Sequence, residues 1–436
     1  MAAQPPLTPR INETACLMTR TQTTTCMDEF DPAAQTVEQA LANIHALTEP
    51  ARGIERVGLR DALDRVLARD VHAAMDVPPE RNSAMDGYAF AGRDLDPEGG
   101  TRLKLTGQSL AGHPFSGTLG AGECIRIMTG AVMPDGADSV VMQERVEIDG
   151  DVIVLAPGTG AGENVRLPGQ DVCRGDVLLG AGRAINAADI GLLASQGIAE
   201  VDVRRRPVVT YFSTGDELRG IGEVLASGQI YDSNRHTLHA LLRRLSVEIR
   251  DMGVIPDEPQ AILQAFRDAM DTSDMVITTG GVSVGDADYV KQTLESLGRI
   301  DFWKIAMKPG RPLAFGRLGN ALFFGLPGNP VSTMATFILF VRPSLQRLMG
   351  AEPREPLTLR ARCLNRLRKT PGRTDYQRGI LSRDESGRPV VGTTGLQGSH
   401  VLSSMSRANA LIVIPLEAGD VEEGTEVDVI PLDGLI

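Results

Sequence analysis

Between Val37 and Leu67 the apolar residues recur at helical spacing, first Ala40, Ile44 and Leu47, then Leu59, Leu63, Val66 and Leu67. That spacing predicts two helices and a bend. After "DVPPERNSAMDGY" the pattern changes to short apolar runs broken by glycine, "RLKLTGQ", "ECIRIMTG", "SVVMQERVEI" and "DVIVLAPG", which predict strands of a small β-rich module over residues 77–168. The segment "AINAADIGLLASQGIAEVDVRRRP" returns to a helix and a strand. It shares the character of the first helices, so the β module reads as an insertion in one elongated linker unit made of 31–76 plus 169–205.

Residues 206–353 alternate strand and helix patterns. "PVVTYFS", "VEIRDMGVI" and "DMVITT" are strands, and more strands are expected near Phe302 and Leu322. "SNRHTLHALLRRL" is a helix starting at Ser233 or Asn234, with Leu238, Leu241, Leu242 and Leu245 on one face. "EPQAILQAFRDAM", "ADYVKQTLESL" and the apolar run from Val331 to Leu348 are further helices. This alternation calls for a doubly wound parallel sheet with helices on both faces and ligands at the carboxyl ends of its strands. The last stretch, 354–436, returns to short strands ("RPVVGTTG", "ALIVIP", "EVDVI"), as in a β-barrel-like unit. The fold class is therefore α/β and multidomain. Residues 1–30 ("RTQTTTCMDEF") lack periodicity and read as a disordered tail.

Composition narrows the function. With 56 acidic and 44 basic side chains the net charge is −12, which argues against nucleic acid as the main partner. The five cysteines, Cys16, Cys26, Cys124, Cys173 and Cys363, are scattered, form no CxxC and are odd in number, so neither a disulfide framework nor a zinc site is expected. A reducing, cytoplasmic setting follows. No apolar run is long enough to span a bilayer, so no membrane partner is expected.

The stretch "TTGGVSVGDADY", residues 278–289, follows a strand pattern and precedes a helix. Its glycines Gly280, Gly281 and Gly285 and its Ser283 offer backbone amides and a hydroxyl to an oxyanion. A second turn, "GLPGNP" at 325–330, has the same setting, with Pro327, Gly328 and Asn329 at its centre. Between them "WKIAMKPGRP" concentrates Lys304, Lys308 and Arg311 in an acidic chain, which suits a phosphorylated ligand. Carboxylates in the same place would repel that ligand unless a divalent cation intervened. Glu217 of "STGDEL", Asp286 and Asp288 are hard oxygen ligands suited to Mg2+. His236 and His239 share a helical face, but no third ligand is in sight.

Together, "NSAMDGYA", "CIRIMTGA", "FSTGDEL", "GQIYDSN", "TTGGVSVGDADY", "FWKIAMKPGRP", "GLPGNPVS" and "TPGRTDYQRG" resemble the molybdopterin molybdenumtransferases, the bacterial MoeA family related to the gephyrin E domain. The similarity runs in order from about residue 35 to the C-terminus. The resemblance implies an enzyme that takes adenylylated molybdopterin and molybdate, releases AMP with the help of magnesium, and leaves molybdenum on the pterin dithiolene. It also implies a homodimer of four-domain subunits, in which the α/β unit of one chain faces the β insertion of the other. Contacts with the molybdopterin adenylyltransferase and with cofactor-accepting apoenzymes belong to the same picture.

Position by position, the resemblance carries function to Asp86, Thr129, Asp171 of "GQDV", Glu217, Asp257 of "IPDE", Asp288, Lys304, Lys308, Arg378 of "DYQRG" and Ser399 of "QGSH". By chemistry, Lys304 and Lys308 would hold phosphate or molybdate charge. Glu217, Asp286 and Asp288 would hold magnesium or orient the attacking oxygen, and Arg378 and Ser399 would bind the molybdate tetrahedron. Two other readings fit parts of the pattern: the adenylyltransferase that makes the adenylylated substrate, and a non-catalytic scaffold of the gephyrin kind.

Overall fold

The computed structural model of the 436-residue chain describes residues 31, 33–96, 100–280 and 289–436. The first predicted helix forms as Val37–Leu47. Thr36 caps it: its Oγ1 accepts the Gln39 amide at 3.2 Å and Gln39 Oε1 accepts the Thr36 amide at 3.0 Å, a reciprocal arrangement that satisfies two otherwise orphaned donors. The second predicted helix does not form. Ile54–Gly58 is a strand paired antiparallel with Glu200–Arg204, and only one helical turn, Leu59–Asp61, follows. Long-range partners outbid local periodicity here, because the Leu59 amide donates to Ala199 O at 2.8 Å and the Leu67 amide to Arg183 O at 3.0 Å. Leu63, which the helical spacing would bury, is exposed.

Two further antiparallel pairs continue outward, Val71–His72 with Val177–Leu179 and Asn82–Ser83 with Val165–Arg166. The chain thus leaves and re-enters along one narrow ladder. Beyond it lies a six-stranded mixed sheet in the order Ser139–Met142, Gly87–Phe90, Glu123–Ile127, Arg102–Ser109, Val152–Leu155, Val146–Asp149.

The α/β part is built on another six-stranded sheet, ordered Glu248–Ile255, Val208–Thr214, Met275–Thr279, Ala321–Leu326, Pro312–Leu318, Gly298–Lys304. Its first four strands are parallel, as the sequence predicts, while the last two pair antiparallel. Side chains alternate between two cores. Tyr211, Ile277 and Phe324 pack with Leu238, Leu241 and Leu242 of helix Ser233–Arg243. Phe212, Val276 and Phe323 pack with Ile262 and Phe266 of helix Pro259–Thr272 and with Leu294 of helix Tyr289–Leu297. Each buried Phe contributes about 1.5–3 kcal/mol of transfer free energy, so both faces need helical cover, which is the doubly wound arrangement.

The apolar helix expected from Val331 to Leu348 is present as Pro330–Thr336 and Arg342–Leu348, joined by a π-helical turn at Phe337–Val341. Pro343, which has no N–H to donate, sits just after that turn.

In the C-terminal part, five strands close on themselves: Thr374–Arg383, Pro389–Thr393, Leu359–Cys363, Glu426–Pro431 and Ala410–Ile414, the last pairing back to the first. This is a small barrel, and closure leaves its strands without a free edge. The short strand Met307–Lys308 adds to Thr374–Arg383 in parallel, with Lys308 beside Asp375. The barrel and the α/β part therefore share a hydrogen-bonded seam.

Candidate active site

Register aligns the carboxyl ends of three adjacent strands, with Ser213 beside Thr279 and Thr279 beside Leu326. The segments that follow, Gly215 to Glu217, Gly280, and Pro327 to Asn329, emerge side by side. Gly280 has φ +87°, and a Cβ there would lie 2.6 Å from Thr214 O, so only glycine fits. Its amide donates to Leu326 O at 3.3 Å, which ties the first predicted turn to the second. Gly281, Ser283, Gly285, Asp286 and Asp288 lie outside the described residues.

Pro327 is buried, whereas Gly328 and Asn329 are exposed. Among the described residues their two amides donate to nothing. A Cβ on Gly328 would meet nothing within 4 Å. Open space and free N–H groups together suit close approach of an oxyanion.

Lys308 is exposed, and its ammonium makes no hydrogen bond or ion pair among the described residues. Lys304 and Arg311 differ, because both reach the same carboxylate oxygen, Asp31 Oδ2, at 3.1 Å. The hydrogen bond from Lys304, then that from the Ala33 amide, holds the Asp31 carboxyl below its ordinary range. Backbone pairing delivers Asp31 there: the Gln35 amide donates to Lys304 O at 3.0 Å and the Ala306 amide to Gln35 O at 2.7 Å. Solvent screens this pairing, so a bound anion can compete with Asp31 for the two cations. Asp31→Asn is accordingly expected to lower the KM for an anionic substrate by about two- to fivefold with little change in kcat, measured by steady-state kinetics; a raised KM would show that Asp31 helps rather than competes.

In the barrel, Arg378 is 1% exposed. Its Nε donates to Ser404 Oγ and one terminal nitrogen to Gly398 O, each at 3.1 Å. Both acceptors are neutral. Burial pushes the guanidinium down to about 10, which still leaves it charged at neutral pH. Asp375, 4% exposed, is the carboxylate that offsets this charge, and its own carboxyl is pushed up by burial against a Gln377 hydrogen bond of 2.9 Å and the charges of Lys308, Arg378 and Lys369. Lys369 is buried too, donating to Ala418 O at 2.7 Å and Leu416 O at 3.2 Å. Lys308, Arg378 and Lys369 thus all act on the buried Asp375 carboxylate, while Glu417 and Arg373 act in turn on Lys369.

The backbone joins this cluster to the second turn, since the Val331 amide donates to Ser399 O at 3.1 Å. Asp375 and Lys369 escaped the sequence reading. The available signal was "TDYQRG", which places Asp375, Gln377 and Arg378 in one strand whose residues 375–379 are all buried.

Glu217 is exposed with no side-chain hydrogen bond, while its carbonyl accepts the Ile230 amide at 2.9 Å. Asp257 is drawn to the same loop, its amide donating to Asp216 Oδ1 at 3.4 Å. No three His, Cys, Asp or Glu side chains gather to hold a metal ion among the described residues. Of the three expected magnesium ligands only Glu217 is described, and its free carboxylate is a hard donor of the right chemistry.

Asp86 and Thr129 form a tight pair, with the Thr129 amide and Oγ1 both donating to Asp86 Oδ1 at 2.7 Å. The backbone bond, then the hydroxyl bond, holds the Asp86 carboxyl below its ordinary range. The Asp171 amide donates to Val77 O at 2.9 Å. These bonds stay within the inserted part and its ladder, and none reaches the α/β strand ends. His239 bonds Tyr211 through Nδ1 at 3.0 Å. Cys124 and Cys363 are buried, and burial pushes the Cys124 thiol up to about 12, so neither is poised as a nucleophile.

The fold and the site define a multidomain α/β protein whose sheet edge, beside a small barrel, gathers donors for an oxyanion. Family models describe residues 35–197 as MoeA N-terminal region (domain I and II), 210–347 as a probable molybdopterin binding domain, and 360–432 as MoeA C-terminal region (domain IV). The chain is 43% identical to a molybdopterin molybdenumtransferase of Haemophilus influenzae, covering 88% of this chain and 95% of the relative. It is 36% identical to one from Nostoc, covering 92% and 94%. A crystal structure of a molybdopterin biosynthesis MoeA protein from Pyrococcus horikoshii OT3 superposes with a TM-score of 0.79 at 28% identity, covering 91% of this chain and 100% of that one. The chain belongs to the MoeA family, the molybdopterin molybdenumtransferases.

Proposed function

We propose that this enzyme binds adenylylated molybdopterin and molybdate, cleaves the adenylyl phosphoanhydride, releases AMP and leaves molybdenum on the dithiolene. The observation that carries the reading is that charge is left over at one place: Lys308 without an ion pair and Arg378 with only neutral hydrogen-bond partners, next to the free amides of Gly328 and Asn329. In an acidic chain such a surplus of positive charge and donors needs an anion.

The residues divide the work by their chemistry. Gly280, Gly281, Ser283, Gly285, Pro327, Gly328 and Asn329 would cradle phosphate, with Lys308 and, once Asp31 is displaced, Lys304 and Arg311 neutralising it. Arg378 and Ser399 would hold molybdate. A molybdate oxygen or water attacks the adenylyl phosphorus, the new P–O bond forms as the anhydride P–O bond breaks, and the terminal phosphate stays with the pterin. If water attacks, the two thiol protons carry one molybdate oxygen away as water as the two Mo–S bonds form. If a molybdate oxygen attacks, that oxygen leaves with AMP as its Mo–O bond breaks and the thiol protons pass to solvent. Glu217, Asp286 and Asp288 would hold Mg2+, which would offset charge at the adenylyl phosphate. Asp257 would support that loop.

Asp86, Thr129 and Asp171 belong to this site through a homodimer, in which the inserted part of one subunit faces the α/β part of the other. The units proposed are 31–76 plus 169–205, 77–168, 206–353 and 354–436, after a tail at 1–30. A cytoplasmic enzyme that exchanges its substrate and product with the adenylyltransferase and with apoenzymes completes the proposal. Among the described residues no helix is long and apolar enough to cross a membrane.

The test is incubation with adenylylated molybdopterin, magnesium and molybdate. AMP release that depends on molybdate and is lost on chelation of magnesium is the expected result. Adenylylation of unmodified molybdopterin from ATP by the protein alone would overturn it in favour of the adenylyltransferase reading.

A further inference from the structure

Helix Ser233–Arg243 begins close to the second turn. Asp232 caps it, accepting the Arg235 amide at 3.1 Å, and is itself anchored through its own amide to Arg219 O at 3.1 Å. Two residues on, Asn234 is 8% exposed, and its Nδ2 donates to Gly328 O at 2.7 Å. Only the amide nitrogen can donate to a carbonyl, so the orientation of the side chain is fixed. Its Oδ1 is buried without a partner.

The carbonyls of the turn are held by different groups. Thr333 Oγ1 holds Pro327 O at 2.6 Å, and the Thr333 amide and Oγ1 hold Asn329 O at 2.9 and 3.1 Å. Gly328 O has no other donor than Asn234 among the described residues. Gly328 also has no side chain, and nothing within 4 Å of where one would start, so packing does not hold this peptide. The Gly328 C=O and the Asn329 N–H belong to one planar trans unit and point in opposite directions. Clamping the carbonyl therefore aims the amide, and that amide is one of the two with no partner.

We infer that Asn234 is a positioning residue: by holding Gly328 O on the helix side it turns the Asn329 N–H outward to receive an oxyanion of the substrate. The inference rests on the reading of this turn as an oxyanion cradle. It explains why a helix in the apolar core begins with a buried amide.

The experiment uses Asn234→Leu, which fills similar volume without a donor, and Asn234→Asp, whose carboxylate repels the carbonyl. Each variant is characterised by melting, by AMP binding calorimetry, by AMP-release kinetics and by crystallography. Expected are melting temperatures within a few degrees of wild type, AMP affinity lowered by about tenfold in both variants, and KM for the adenylylated substrate raised by a similar factor with kcat changed less than about threefold. The crystal structure of Asn234→Leu should show the 328–329 peptide rotated. An unrotated peptide with unchanged AMP affinity would overturn the inference. Rotation in the variant alongside a wild-type protein that neither binds nor releases AMP would uphold the positioning role and remove the functional reading instead.

Discussion

Arg378→Lys is expected to leave a folded protein whose kcat/KM for molybdate falls by about a hundredfold, roughly 2–3 kcal/mol of charge-assisted hydrogen bonding. The guanidinium is 1% exposed and spreads its donors between Ser404 Oγ and Gly398 O, both at 3.1 Å. Lysine keeps the charge, and with it the balance against Asp375, but replaces a planar fork by a point donor on a shorter reach. The loss should therefore lie in the molybdate KM and in turnover, while AMP binding stays near the wild-type value. Steady-state kinetics with molybdate varied, beside AMP calorimetry, measures both. An unchanged molybdate KM would remove Arg378 from the oxyanion site.

The second large effect is expected at Lys308. Its ammonium is exposed and makes no hydrogen bond or ion pair among the described residues, acting on the Asp375 carboxylate only through longer-range charge, so Lys308→Ala should change stability by no more than about 1 kcal/mol. If the charge faces an anion developing in the reaction, kcat/KM should fall by about 10²- to 10³-fold. Lys304→Ala should cost less in binding, because Asp31 already takes up that charge. Thermal melts and AMP-release rates on the two variants decide the order. Equal, small effects at both positions would mean that neither lysine meets the substrate.

Much of the architecture was legible because it rests on local periodicity. The run of strand Val208–Thr214, buried on both faces, and the leucine face of helix Ser233–Arg243 each need a covering layer, and the doubly wound sheet follows. Legibility ended where tertiary pairing won. Leu59 to Leu67 has helical spacing, yet its backbone is bound by Ala199 and Arg183. The strand Pro312–Leu318 went unseen because it pairs antiparallel inside a sheet expected to be parallel.

In the site, single motifs exposed the glycine turns and the cations, whose chemistry is carried by residue type. Their partners were hidden: Asp31 on Lys304, Asp375 beside Arg378 and Asn234 on Gly328. Asp31–Lys304 and Asn234–Gly328 join segments far apart in the chain, which have no period to read. Asp375 lies on the same strand as Arg378 and was hidden only because nothing in the sequence marks it as buried.

The central claim is that the barrel arginine and the turn from the α/β sheet form one oxyanion site. Co-crystals grown with molybdate, measured at the molybdenum absorption edge, locate the metal directly. The account predicts an anomalous peak within hydrogen-bonding reach of Arg378 and Ser399, on the side that faces Lys308. Ordered molybdenum found solely elsewhere on the protein, with that place empty, would contradict it.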